Sequence, residues 1–289
     1  MFNMRAKTGS IVGAMVVACG LAASSQAMVT TINYANFNDV SQLSLNGVAV
    51  QSNGLVGEQK TLSVTPPVGA SKGSAWYNTA QSVNLGWVSD FQFRMRDRSG
   101  LGADGLAFVI QNASLGALGG SGGAIGFGTN DAFPVGNTGI ANSVAIVFDC
   151  WDNSGNWSTI PGANVITVQT RGTLANNPSS VYSLGGVGVP GAFNDGTIHT
   201  ARIAYTPGTL QIFYDNLAVP AVTVPLNLDV TLALNAGKGF VGFTAGTGSP
   251  ENAQRQEVLN WQFSSVVPSP ATASLLGLGG LIAVRRRRA

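Results

Sequence analysis

Residues 143–149, S-V-A-I-V-F-D, restrict the possible architectures more than any other stretch of this chain. Val144, Ile146 and Phe148 alternate with Ala145 and Val147, and each is apolar or small. Such a strand has no face suited to water, so it must run through the interior of a layered protein with cover on both sides. The run then breaks into Asp149, Trp151, Asp152, Asn153 and Asn156 around a turn softened by Gly155. Carboxylate and amide oxygens at spacings of two to four residues suit a hard cation such as Ca2+. The same residue types also make ordinary polar turns. Taken alone, the stretch is compatible with either.

The neighbouring sequence predicts strands and very little helix. No long segment carries a charged face at helical period, 38 of the 289 residues are Gly, and only 10% are charged. Strands are expected at Val29–Tyr34, Leu43–Val50, Lys60–Val64, Ser74–Tyr77, Val83–Leu85 and Asp90–Arg96, separated by Pro66-Pro67, Gly69 and Gly73. Phe91, Phe93 and Met95 alternate with Gln92, Arg94 and Arg96, the pattern of a half-exposed antiparallel strand. Further strands are expected at Asn164–Thr170, Thr197–Tyr205, Thr209–Tyr214, Ala221–Val224, around Gly239–Thr244 and at Glu257–Ser264, with Pro207-Gly208 forming a hairpin turn. An all-β sandwich can absorb about 200–250 residues, so the length calls for only one domain.

Two further stretches stand out. In A-D-G-L-A-F-V-I, Asp104 sits between small residues just before an apolar strand. Residues 115–129, L-G-A-L-G-G-S-G-G-A-I-G-F-G-T, form a Gly-rich loop. It is no nucleotide loop, because no Lys-Ser/Thr follows it and no helix is expected there to receive a phosphate.

Charge argues against nucleic acid as a partner. Arg5, Lys7 and Arg285 to Arg288 lie at the ends, leaving nine basic residues against thirteen acidic ones in the body, a formal charge of −4. The sequence pI of about 8.7 is therefore made by the termini, and the body has no basic patch. Residues 1–27 read as a secretory signal: Arg5 and Lys7, then the apolar Ile11–Ala23, then Ser25-Gln26-Ala27 with small residues at the cleavage positions. Val16-Val17-Ala18-Cys19 offers a rival reading as a lipoprotein box. Cys150 is left as the one thiol of the mature body, expected to be buried and inert. Residues 266–289 form a separate device: Val267-Pro268-Ser269-Pro270, the apolar Ala273–Val284, then the Arg cluster. The apolar run falls short of the ~20 residues of a usual span, which suggests a processing signal with transient membrane anchoring.

Seven anchors occur in one order: G-S-A-W-Y-N-T at 73–79, A-D-G-L-A-F at 103–108, G-G-A-I-G-F at 122–127, V-A-I-V-F-D-x-W-x-N at 144–153, D-G-T-I-H-T-A-R-I-A-Y at 195–205, G-F-V-G-F-T-A-G-T-G at 239–248 and V-L-N-W-Q-F at 258–263. Over about residues 28–265 the chain resembles the legume-type (L-type) lectin domain. The resemblance implies an all-β, concanavalin A-like jelly-roll sandwich of antiparallel sheets and a glycan or exopolysaccharide ligand. The C-terminal segment resembles a bacterial PEP-CTERM sorting signal, with Ser269 where Glu is usual. That resemblance implies export to the cell surface or extracellular matrix, with signal peptidase and an exosortase as processing partners.

The lectin resemblance also implies a site. Asp104, after a cis peptide from Ala103, would accept from sugar hydroxyls, and Gly123 would donate its backbone N–H. Asn153 would serve both sugar and Ca2+, while Trp151 would stack on the sugar ring and lend its carbonyl to Ca2+. Asp149 and Asn156 would complete the metal ligands, and a fourth loop would lie near Gly248 to Asn252. Departures from the family pattern accompany these matches. Val147 stands where a transition-metal site would need Glu, and Gly162-Ala163-Asn164 where it would need His, so no transition metal is expected. His199 reads as a structural strand residue. Asn156 stands near the place of a second Asp, with Asp152 a possible substitute, and fewer carboxylates weaken Ca2+ binding.

Hydrolysis is not expected. The related hydrolases need a Glu-x-Asp-x-x-Glu strand, whereas here the matching strand offers Val147 and Asp149, and the only Glu residues are Glu58, Glu251 and Glu257. The competing readings are a Ca2+-dependent carbohydrate-binding protein and a structural or adhesive matrix protein with a degenerate site.

Overall fold

The computed structural model describes residues 26–129, 138–153 and 162–268. Sixteen strands lie among the described residues: β1 (Gln26–Tyr34), β2 (Leu43–Gly47), β3 (Val50–Ser52), β4 (Thr61–Thr65), β5 (Lys72–Tyr77), β6 (Gln81–Ser82), β7 (Trp87–Arg96), β8 (Gly105–Gln111), β9 (Ser143–Asp149), β10 (Val165–Thr170), β11 (Ser183–Gly188), β12 (His199–Thr206), β13 (Gly208–Tyr214), β14 (Val222–Leu226), β15 (Lys238–Gly246) and β16 (Arg255–Pro268). A single turn of α-helix, Leu228–Thr231, is capped by the Asn227 side chain, which accepts from the Asp229 N–H.

The strands form two sheets. The first runs β14-β13-β12-β7-β16-β4-β3, with β1 also on β16, and the second runs β11-β10-β9-β8-β15-β5-β2, with β6 also on β15. The ladders are antiparallel, as in β8 on β9 and β15 on β8. This is a concanavalin A-like β-sandwich, the class expected from the sequence.

Aromatic residues fill the space between the sheets. Phe91 and Phe93 of the first sheet meet Phe148 and Phe243 of the second, with ring centroids 5.0 Å apart for Phe91–Phe243 and for Phe93–Phe148. Trp87, Phe108 and Trp261 extend the same buried cluster. Each of these rings removes about 150–250 Å² from water, so the sandwich is held mainly by this layer.

The outer face of the second sheet explains why β8 and β9 are apolar on both sides. The Gly-rich loop folds over it and inserts Ile125 and Phe127 among Trp76, Val109, Ala145 and Val147. The Trp76 indole N–H and the Ser74 hydroxyl both donate to the Ala117 carbonyl at 2.8 Å. Gly126 has a φ of 71°, and a Cβ there would lie 2.7 Å from the Ala245 carbonyl oxygen. Only Gly allows the loop to lie this close to the sheet.

Several local expectations require correction. The single strand expected at Leu43–Val50 is two strands that belong to different sheets. The chain crosses between sheets at Gly47, whose φ is 63° and where any Cβ would collide with the Lys72 carbonyl. Val83–Leu85 is not a strand, although Val83 is buried and donates its N–H to Gly237 O at 2.9 Å. β11, S-L-G-G-V-G, carries too little side chain to be seen by alternation. Arg94 was expected on an exposed face but is 2 % exposed. Its guanidinium pairs with the fully buried Glu257 at 2.6 Å and with Glu58 at 2.8 Å. The predicted leader and C-terminal sorting segment lie outside the described residues, apart from their ends next to the domain.

Candidate functional site

The end of β15 organises the site. Gly246 faces Gly105 on one side and Lys72 on the other, so three strands end together there. The Asp104 N–H donates to Gly246 O at 3.0 Å, and the Gly122 N–H donates to Thr247 O at 3.0 Å. The Ala70 N–H donates to Gly248 O at 2.7 Å. The loop that follows turns through a 3-10 segment, Pro250–Asn252. Backbone bonds thus draw the Asp104 loop, the Gly-rich loop and the 246–252 loop to one place.

The register of β8 on β9 pairs Gly105 with Asp149, which sets Asp104 beside Cys150. The Cys150 N–H donates to Asp104 O at 2.9 Å. The Ala103–Asp104 peptide is cis. The Asp104 side chain is 3 % exposed, and its Oδ2 has no hydrogen-bond partner. Burial pushes its carboxyl up to about 7.

Asp149 is 6 % exposed. Its Oδ1 accepts the Trp151 N–H at 3.0 Å. Burial raises this carboxyl well above the usual carboxylate range, and the neighbouring Asp104 and Asp152 push the same way. The Trp151 N–H and the Asn153 amide act in the opposite direction. The Asn153 amide donates to Trp151 O at 3.5 Å. Gly123 lies across from it, so close that a Cβ at 123 would be 3.1 Å from Asn153 Oδ1. A Cβ at Gly248 would likewise sit 3.3 Å from Asp104 Oδ2.

The structure therefore brings Asp104, Gly123, Asp149, Trp151 and Asn153 to one end of the second sheet, with Gly248 beside them. Asp152 is exposed, and its Oδ1 accepts the Gly162 N–H at 3.3 Å. Asn156 lies outside the described residues. Among the described residues no group of three or more His, Cys, Asp or Glu is placed to hold a metal ion. His199 is in the first sheet, where its Nδ1 lies 2.9 Å from Asp215 Oδ2 and 2.7 Å from the Tyr214 hydroxyl.

The donor chemistry nevertheless suits a hard cation. Two buried carboxyl groups act on one another, neither forms an ion pair among the described residues, and one carries an orphaned oxygen. The Asp149 carboxylate, the Trp151 carbonyl and the Asn153 amide oxygen are all oxygen donors.

Some supporting residues are not evident from the sequence. Gln254 donates to Cys150 Sγ at 3.0 Å, and Gln256 donates to Gly246 O at 3.1 Å and to Ala103 O at 3.3 Å. Both amides are fully buried beneath the Asp104 loop. Their only sequence signal is a pair of polar residues, two apart, just before an apolar strand. Beside Trp151 a cavity of about 280 Å³ is lined by Leu101, Cys150, Asp152, Asn164 and Asn194.

The sequence profile of the legume lectin domain matches residues 29–276. Among solved structures, the basic winged bean lectin with Tn-antigen is 24% identical, covering 83% of this chain and 99% of its own, with a TM-score of 0.63. The lectin from Bauhinia forficata in complex with GalNAc is 20% identical, covering 84% and 99%, with a TM-score of 0.61. Arcelin-5, a lectin-like defense protein from Phaseolus vulgaris, is 18% identical, covering 84% and 99%, with a TM-score of 0.59. At these identities the likeness is one of fold, and it agrees with the two-sheet topology. With a profile match spanning most of its length, the chain belongs to the legume lectin domain family.

Proposed function

We propose that this protein binds carbohydrate at the end of the second sheet, in a Ca2+-dependent manner, and is exported. The observation that carries the reading is the buried Asp104 Oδ2, which lacks a donor, on a loop bonded to the same end of β15 as the loop that brings Gly123 against Asn153. A sugar hydroxyl supplies that donor, and the Asn153 amide and the Gly123 N–H serve further hydroxyls. The indole of Trp151, half-buried, offers an apolar face for the C–H side of a pyranose.

Asp149, the Trp151 carbonyl and the Asn153 amide oxygen would hold Ca2+, whose charge would offset the two buried carboxylates. Holding Asn153 in place before the sugar arrives reduces the ordering cost of binding. The related lectin structures with Tn-antigen and GalNAc support a glycan ligand here. Family membership supports a binding protein rather than an enzyme, and Val147 beside Asp149 leaves no pair of carboxylates on that strand for hydrolysis.

The small number of carboxylates among the described residues favours a second reading, a structural or adhesive matrix domain with a degenerate site. A glycan array probed with and without EDTA decides between them. Sugar binding that is lost in EDTA and in Asp104→Ala and Asn153→Ala supports the lectin reading. A blank array, or binding indifferent to those changes, overturns it. We further propose that residues 1–27 direct export and that residues 266–289, a PEP-CTERM-like segment in a bacterial host, sort the protein to the cell surface or matrix. Deleting 266–289 should release it into the medium, and unchanged cell association would overturn the sorting role.

A further inference from the structure

A second polar groove lies at the far end of the sandwich. It has a volume of about 360 Å³ and is lined chiefly by Asn33, Tyr34, Asp39, Gln42 and Tyr77. β5 links the two ends of the molecule. Lys72 pairs with Gly246, to which Asp104 is bonded, whereas Tyr77 borders the groove. Five residues of strand separate them, about 17 Å at ~3.4 Å per residue.

The walls of the groove are rigid. The ring of Tyr34 stacks on Phe37 at 5.1 Å and on Trp261 at 6.2 Å, and Tyr77 meets Trp261 edge-on at 6.4 Å. The loop that carries Asp39 is fixed on both sides: the Phe37 N–H donates to Lys60 O at 3.0 Å, the Gln51 amide donates to Phe37 O at 2.7 Å, and the Asn78 N–H donates to Gln42 O at 2.9 Å. A ligand would therefore meet a backbone and an aromatic floor that need little ordering.

The hydrogen-bonding capacity of these walls is largely unused. The Tyr34 hydroxyl is buried and has no partner. Burial, with Tyr77 and Asp39 nearby, pushes it up to about 12, so it remains a proton donor. The side chains of Asn33 and Gln42 and the hydroxyl of Tyr77 make no hydrogen bond within the described protein. Asp39 accepts the Ser41 N–H at 2.8 Å, and its bonds to Ser41 hold it ionised below the usual carboxylate range. Among the described residues no Lys or Arg lines the groove.

We propose that this groove is a second saccharide-binding site, selective for neutral over anionic sugar residues. Amides, phenols and one carboxylate match a dense array of hydroxyls, and aromatic rings match its C–H face. The unpaired Asp39 repels uronates. None of these residues belongs to the Asp104 site, so the two sites can succeed or fail independently. With both occupied, one chain could bridge two points on a glycan.

The test is saturation-transfer NMR on the full chain carrying Asp104→Ala, in EDTA, with D-glucose, D-galactose, D-mannose and N-acetyl-D-glucosamine, and with D-galacturonate as the anionic comparator. The expected result is transfer to at least one neutral sugar and about fivefold less to galacturonate. Adding Asn33→Ala and Gln42→Ala, both at exposed positions, should cut the transfer about fivefold, as should the near-isosteric Tyr34→Phe. No transfer to any of the four sugars, equal transfer to galacturonate, or transfer indifferent to these substitutions would overturn the proposal. The difference between the wild-type chain in Ca2+ and Asp104→Ala reports the first site separately.

Discussion

The Asp104 carbonyl accepts two hydrogen bonds from Cys150, one from the backbone N–H and one from the thiol, both at 2.9 Å. The thiol in turn accepts from Gln254. A residue that reads as inert core filling therefore clamps the loop that presents the buried carboxylate.

Replacing Cys150 with Ala removes the thiol's bonds and leaves a small void. It should cost about 1–3 kcal/mol, read as a lower urea midpoint. Burial also raises the thiol well above its ordinary range. Cys150 should therefore resist iodoacetamide in the native protein and react only after unfolding, as peptide mapping by mass spectrometry would show.

Gly123→Ala and Gly248→Ala test the site by steric means alone. A Cβ at 123 presses on the Asn153 amide at 3.1 Å, and one at 248 presses on Asp104 Oδ2 at 3.3 Å. Each should weaken glycan binding by about tenfold, or ~1.4 kcal/mol, and leave the melting temperature nearly unchanged. Glycan titration beside a thermal melt measures both quantities.

In chelator, stability should fall as pH rises. Unfolded Asp104 ionises near 3.8, whereas the folded carboxyl keeps its proton up to about 7. Protons thus favour the folded state, and the benefit is lost as pH climbs through that window. For Asp104 this amounts to about 4 kcal/mol, and Asp149 adds in the same direction. Melts in EDTA should show a lower Tm near pH 7.5 than near pH 5, and added Ca2+ should raise Tm more at the higher pH. A Tm in EDTA that rises over this range would show that another group already balances the two carboxyls.

The ionic cluster on the first sheet should behave in a graded way. Glu257 is fully buried and accepts from Arg94, Arg96 and Thr61. Glu257→Gln removes the buried carboxylate that the two guanidinium groups share, leaving Arg94 with Glu58 and Arg96 with Asp97, and should cost about 2–3 kcal/mol. Glu58 is exposed, although its hydrogen bonds with Arg94 lower its carboxyl to about 2. Its contribution is present above pH 4.5 and is lost as pH falls toward 2. Solvent screening limits Glu58→Gln to about 1 kcal/mol or less. Denaturant titrations near pH 7 and pH 3 separate the two effects.

The sequence revealed most where side chains alternate. β12 and the β12–β13 hairpin through Pro207-Gly208 follow that alternation, whereas β8 and β9 are legible as unbroken apolar runs buried on both faces. It failed where glycine replaces side chains, as in β11, and where backbone geometry redirects the chain, as at Gly47. Arg94 looked solvent-facing because its partner Glu257 lies 163 positions away. The grouping of Asp104, Gly123 and Asn153 could be expected only through the family resemblance. Gln254 and Gln256, which brace that group from below, left almost no signal, because a buried amide and an exposed one look alike in a string of letters.

The bonds that gather the site at the end of β15 run almost wholly through main-chain atoms: Asp104 to Gly246, Gly122 to Thr247, Ala70 to Gly248. A scaffold joined this way does not depend on which side chains its rim displays. Sugar preference can therefore diverge quickly among descendants of this chain while the position of Asp104 stays fixed. Variant libraries confined to the solvent-facing rim should yield new specificities without first having to regain a folded protein.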